Sequence, residues 1–127
     1  MKFPKSKCFE WKRREKCKRP YVPSPEILNK FRAALEDIKQ PDIEKATFYR
    51  ATGCDACNGL GYKGRIGVLE LIPVDVEIEK LIASSPSHAE VFELAKKKGM
   101  ITMYQDALLK VLNGITTLEE VERMIDW

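Results

Sequence analysis

The segment Cys54-Asp-Ala-Cys57-Asn-Gly-Leu-Gly61, framed by Gly53 and Gly64, constrains this chain more than any other stretch. Two thiolates three residues apart can chelate one zinc ion from a tight turn, with Zn–S near about 2.3 Å. Such a turn needs residues that accept positive φ and aims backbone N–H groups at sulfur; Asn58, Gly59 and Gly61 suit it. A closed structural site takes four ligands. The chain holds four cysteines, so the second pair would be Cys8 and Cys17, with eight residues between them rather than two. Three readings stand at this level: all four cysteines on one zinc, a degenerate site with three thiolates and a water or a knuckle without metal, and redox chemistry at Cys54-x-x-Cys57. The last is the poorest, because a thioredoxin-like pair sits at a helix start, whereas glycines and a strand-like run follow here.

The same glycines satisfy two nucleotide motifs on paper. Gly59-Leu-Gly-Tyr-Lys-Gly64 matches GxGxxG, but that fingerprint works through the helix N-terminus that follows it, and RIGVLELI reads as a strand. Read as a P-loop, the segment has Arg65 and Ile66 in place of the lysine and hydroxyl residue. His88 is the single histidine, beside a helix cap and far in sequence from the cysteines, so neither nucleophilic catalysis nor ligation is expected of it.

With 127 residues, the chain suits one domain or two small subdomains sharing a core. Hydrophobic residues at 44% and charged residues at 32% exclude a disordered chain. No apolar run approaches the roughly 18 residues of a membrane span, and the basic start is not followed by a signal-like apolar stretch. A cytoplasmic location is expected, where reduced cysteines favour metal ligation over disulfides. Residues 1–20 carry nine Lys or Arg against two Glu, a balance of +7, which leaves −4 on the rest of a chain whose net charge is +3. A basic arm on a mildly acidic body is a solvated tail or a contact for nucleic acid or an acidic partner.

Ser24 and Pro25 start a helix expected over 25–38, with Ile27, Leu28, Phe31, Ala34, Leu35 and Ile38 on one face. Strands are expected at Thr47–Arg50 and Arg65–Val74. Helix starts follow at Asp75, at the capping box Ser87-x-x-Glu90 and at Thr117-x-x-Glu120, with Gly99 and Gly114 as breaks. The expected fold is α+β: a small zinc-ribbon-like β unit with an N-terminal helix, then a C-terminal helical subdomain of three to four helices. The divisions are a basic arm at 1–16, a zinc-binding subdomain at 17–74 and the helical subdomain at 75–127.

Several blocks recur in a familiar order: Cys17-Lys-Arg-Pro-Tyr21, Pro23-Ser-Pro-Glu-Ile-Leu28, Phe48-Tyr-Arg50, GCDACNGLGYKGRIGVLEL from Gly53 to Leu71, Gly99-Met100, and Lys110-Val-Leu-Asn-Gly-Ile-Thr-Thr-Leu-Glu-Glu-Val121. Over residues 17–127 the chain resembles the C-terminal region of bacterial type II secretion and type IV pilus assembly ATPases. The resemblance implies a tetracysteine zinc subdomain and a helical subdomain packed on a hexameric motor domain at the cytoplasmic face of the inner membrane. It matches Cys54, Cys57 and Cys17 to three of the four cysteines and puts Arg14 where the fourth belongs, leaving Cys8 as the substitute. The family's Walker motifs and motor arginines fall outside this chain. The implied function is therefore a non-catalytic module with a structural zinc, whose partners are the motor domain and other secretion-system proteins, with no small-molecule substrate and no membrane insertion.

An alternative is a nucleic-acid-binding zinc ribbon using the basic arm with Phe3, Phe9 and Trp11; the body's −4 charge argues against it. CxxCxGxG also resembles the zinc module of DnaJ-type chaperones, which carry four such repeats against one here.

Overall fold

The computed structural model describes residues 9–10, 17–39 and 42–124. Among them the fold is α+β, with two two-stranded antiparallel sheets and five α-helices. The short strand β1 (Phe9–Glu10) pairs with β4 (Arg65–Ile66), Phe9 opposite Ile66. Strand β2 (Lys18–Tyr21) pairs with β3 (Phe48–Ala51), Lys18 opposite Ala51 and Tyr21 opposite Phe48.

Helix α1 (Pro25–Ala34) begins as its sequence dictates, with the Ser24 hydroxyl accepting from Ile27 N–H. It stops four residues short of the expected end because Leu35, at φ −110° and ψ 12°, leaves the helical basin while its side chain stays buried. Helices α2 (Val76–Ala83), α3 (His88–Lys97), α4 (Met103–Leu112) and α5 (Leu118–Met124) give the C-terminal part four helices, where three to four were expected. Asp75 caps α2, and the Ser87–Glu90 box caps α3. A Thr102–Gln105 box, not anticipated from the sequence, starts α4, and Gln105 also donates to Ala34 O at 2.9 Å, tying α4 to α1.

The larger core joins Phe31, Leu35 and Phe48 to Ala107, Leu108, Val111, Leu118 and Val121, so residues on both sides of position 74 share it. Phe31 meets Phe48 edge-on at 5.1 Å between ring centroids. Each such buried Phe or Leu stabilises by about 1.5–3 kcal/mol relative to exposure. A smaller cluster of Ile78, Ala95 and Met100 locks α2 on α3.

One expectation fails over most of its length. The strand foreseen at 65–74 pairs only at Arg65–Ile66, and beyond it no strand among the described residues takes up 67–74. The cause is visible in the backbone: Leu69 N–H donates to the Asp106 carboxylate at 2.9 Å instead of to a neighbouring strand, and Pro73 has no N–H to give.

Candidate metal centre

The β2–β3 pair and the turn after β3 bring three cysteines together. Cys17 ends the approach to β2; its carbonyl accepts both the backbone N–H and the hydroxyl of Thr52, at 2.8 and 3.1 Å, which fixes it beside the outgoing end of β3. Asp55–Cys57 then forms a single 3-10 turn, closed by Asn58 in the left-handed region at φ 52°. Gly59 and Gly61 follow at φ 77°. Gly53 is required for a different reason, close approach: a Cβ there would lie 2.0 Å from Gly59 O.

The result is a triangle of sulfurs. Cys17 Sγ is 3.3 Å from Cys54 Sγ and 3.8 Å from Cys57 Sγ, and Cys54 and Cys57 are 3.7 Å apart. Four thiolates around a tetrahedral zinc stand about 3.8 Å apart, given Zn–S near about 2.3 Å, so two of the three edges already have that length. Cys57 Sγ accepts N–H groups from Cys54 at 3.2 Å and from Gly61 at 3.1 Å. Cys17 and Cys57 are buried and Cys54 is half-buried, which shields the cluster.

The electrostatics follow from those contacts. The Cys57 thiol is pulled down to about 6, first by the Cys54 N–H and further by the Gly61 N–H, against the opposing pull of burial. Cys17 is pushed up to about 11, chiefly by its hydrogen bond to Cys54 and then by burial. In the metal-free cluster the two N–H groups favour the thiolate form of Cys57 while Cys17 is favoured as the thiol, and a divalent ion bound to all three sulfurs displaces the remaining protons. The three sulfurs lie close enough to bind a metal ion, and a soft donor set in a glycine-rich turn with N–H groups aimed at sulfur fits zinc.

Sequence reasoning placed Cys17, Cys54 and Cys57 together, and the structure brings these three into one cluster. Cys8 and Arg14 lie outside the described residues, as do Phe3 and Trp11 of the basic arm. His88 is exposed at the start of α3, stacked on Phe92 at 6.2 Å. The GxGxxG match carries no phosphate site, because no helix begins until Val76 and Gly61 N–H is committed to sulfur. Sequence reasoning missed Tyr62, whose hydroxyl lies 2.7 Å from that of Thr117, and Thr52. Both act through contacts made across the fold, and no local pattern announces them.

An α+β unit built around a cysteine knuckle able to hold a metal ion is the class that this fold and site define. The chain belongs to the family of Type II/IV secretion system proteins, whose profile matches residues 12–123. It is 43% identical over 107 residues to the Type IV pilus assembly ATPase PilB of Thermus thermophilus, covering 84% of this chain and 12% of that protein. It is 40% identical over 112 residues to the Type II secretion system ATPase E of Vibrio cholerae, covering 85% of this chain and 20% of that protein. To the Type II secretion system protein HxcR of Pseudomonas aeruginosa it is 39% identical over 82 residues, 65% of this chain and 18% of the other. The chain spans between about an eighth and a fifth of the length of these relatives.

Proposed function

We propose that this chain is a non-catalytic module of the secretion and pilus assembly ATPase family that folds around a structural zinc and presents surfaces to the motor domain and other components of the machinery. The observation that carries the reading is the sulfur triangle of Cys17, Cys54 and Cys57, with two N–H groups on Cys57. Zinc is the ion this donor set favours, and Cys8, one residue before β1, is the proposed fourth ligand. A structural zinc supplies about 10–16 kcal/mol of apparent free energy, which matters to a β unit whose sheets have only two strands each.

The relatives are ATPases and secretion-system proteins by name, and membership of the same machinery supports the motor domain as partner. Among the described residues no helix is long and apolar enough to cross a membrane. The proposed place is the cytoplasmic face of the inner membrane, held through partners. The thiolate cluster is not hydrolytic machinery, and no nucleotide turnover is expected of this chain.

Elemental analysis of the purified chain, with Cys8→Ser and Cys17→Ser variants, tests the reading. One zinc per chain that is lost in Cys17→Ser supports it; a chain without metal, or one that hydrolyses ATP, overturns it. Retention of zinc in Cys8→Ser would remove Cys8 from the ligand set.

A further inference from the structure

The three sulfurs of the knuckle are not equivalent. Cys17 and Cys57 are sealed in, at 2% and 9% exposure, while Cys54 is half-buried and stands between the exposed residues Gly53 and Asp55. Cys54 is therefore the sulfur that a small polar oxidant reaches first. Its nearest sulfur lies across the fold rather than within the CxxC turn: Cys17 Sγ donates to Cys54 Sγ at 3.3 Å, against 3.7 Å from Cys54 Sγ to Cys57 Sγ. The two neighbours are also engaged differently. Cys57 Sγ is drawn into the turn by the N–H groups of Cys54 and Gly61, and bonding to Cys54 would strip it of both. Among the described residues the hydrogen bonds of Cys17 Sγ go only to the other two sulfurs. An accessible cysteine beside a buried one with no competing partner is the arrangement in which oxidation ends as a disulfide.

We propose that Cys54 and Cys17 are a peroxide-responsive pair, Cys54 the attacking thiol and Cys17 the resolving one, whose disulfide removes two ligands from the metal site. The Cys54 thiolate attacks one oxygen of hydrogen peroxide; an S–O bond forms, the O–O bond breaks, and the leaving hydroxide takes up a proton as water. The Cys17 sulfur then attacks the Cys54 sulfur; the S–S bond forms, the S–O bond breaks, and hydroxide leaves with a proton as a second water. Two thiols and one peroxide thus give one disulfide and two waters, the sulfurs losing two electrons and the peroxide gaining them. Where the two sulfurs start as metal-bound thiolates, solvent supplies the two protons. The disulfide joins the residue before β2 to the turn after β3, where Cys17 O already holds the N–H and the hydroxyl of Thr52. The end of the β2–β3 ladder therefore keeps a staple when the metal leaves. Metal release rests on the zinc reading above; the disulfide rests on the sulfur geometry alone.

Hydrogen peroxide added to the full chain, after zinc titration and removal of the excess, tests it. Peptide mapping by mass spectrometry is expected to find Cys17 joined to Cys54, with a chromogenic chelator taking up zinc in step with the disulfide. Dithiothreitol should then restore the free thiols and zinc uptake. Cys54→Ser should slow peroxide-driven thiol loss by about tenfold or more. Cys17→Ser should leave Cys54 as a sulfenic acid that a 1,3-dione traps. A chain that takes up no zinc yet joins Cys17 to Cys54 would sink the zinc reading and support the pair. A zinc-loaded chain whose thiols survive peroxide would do the reverse. A Cys54–Cys57 disulfide, a disulfide to Cys8, or an unchanged rate in Cys54→Ser would also overturn the proposal.

Discussion

The hydroxyls of Tyr62 and Thr117 lie 2.7 Å apart, and this contact ties the cysteine knuckle to the last helix of the fold. Tyr62 stands one residue after Gly61, whose N–H holds Cys57 Sγ. Thr117 is buried just before α5 and accepts Glu120 N–H at 3.4 Å. A second link runs in parallel, from Arg50 on β3 to Glu119 on α5 at 3.1 Å. Both residues of the ion pair are well exposed, so the partly buried hydroxyl pair is the stronger link.

Tyr62→Phe keeps the ring and removes the hydroxyl. The loss is expected at about 1 kcal/mol, since Thr117 retains its bond from Glu120 N–H. Thermal unfolding should shift down by about 3–5 °C for a domain of this size. The double variant Tyr62→Phe/Thr117→Val, measured beside both singles, should show the two losses overlapping rather than adding.

Gly53 and Gly59 are both glycines of the knuckle, yet alanine should affect them differently. At Gly53 a Cβ collides with backbone at 2.0 Å, and no rotamer relieves it. Gly53→Ala is expected to abolish metal binding and expose the turn to proteolysis. Gly59 has open space but φ 77°, so Gly59→Ala should cost about 1–2 kcal/mol and leave metal stoichiometry intact. Chemical denaturation and metal content, measured on both variants, separate the two mechanisms.

The knuckle was legible because its chemistry is local: CxxC, a turn and glycines lie within twelve residues. Helix starts were legible for the same reason, through Ser24, Asp75 and Ser87. Strand β2 was not, because Lys18-Arg-Pro-Tyr21 has no apolar alternation and is a strand only by virtue of pairing with β3. Residues 67–74 misled in the opposite sense, since GVLELIPV has strand propensity while its Leu69 N–H is taken by a carboxylate on α4. Both errors arise where a distant partner, not the local sequence, decides the backbone bonds.

In the metal-free protein the two shifted thiols give stability opposite pH slopes. The pKa of Cys57 falls from an ordinary 9 to about 6 on folding, so its contribution is complete above pH 9 and is lost as pH falls through 6. That of Cys17 rises to about 11, so its contribution is complete below pH 9 and is lost as pH climbs through 11. With chelator present, the cluster's contribution to the thermal midpoint should rise from pH 6 toward 9 and fall beyond it. Cys57→Ser should flatten the lower limb. Identical pH profiles for the two proteins between pH 6 and 9 would contradict the assignment.

Leu108 is fully buried in the shared core, whereas Leu60 is 55% exposed beside the knuckle. Leu108→Ala is expected to cost about 2–5 kcal/mol. Leu60→Ala should stay within about 0.5 kcal/mol. Denaturant titration reads both, and equal effects would show that the core described here does not carry the fold.

Metal content decides whether the sulfur triangle is a zinc site. The chain should be purified without chelator and analysed for zinc by elemental analysis and native mass spectrometry, beside Cys57→Ser. One zinc per chain is expected in the wild type and none in Cys57→Ser. A wild-type chain that is folded, carries no zinc and takes up none when zinc is titrated into it would rule out a structural zinc at Cys17, Cys54 and Cys57.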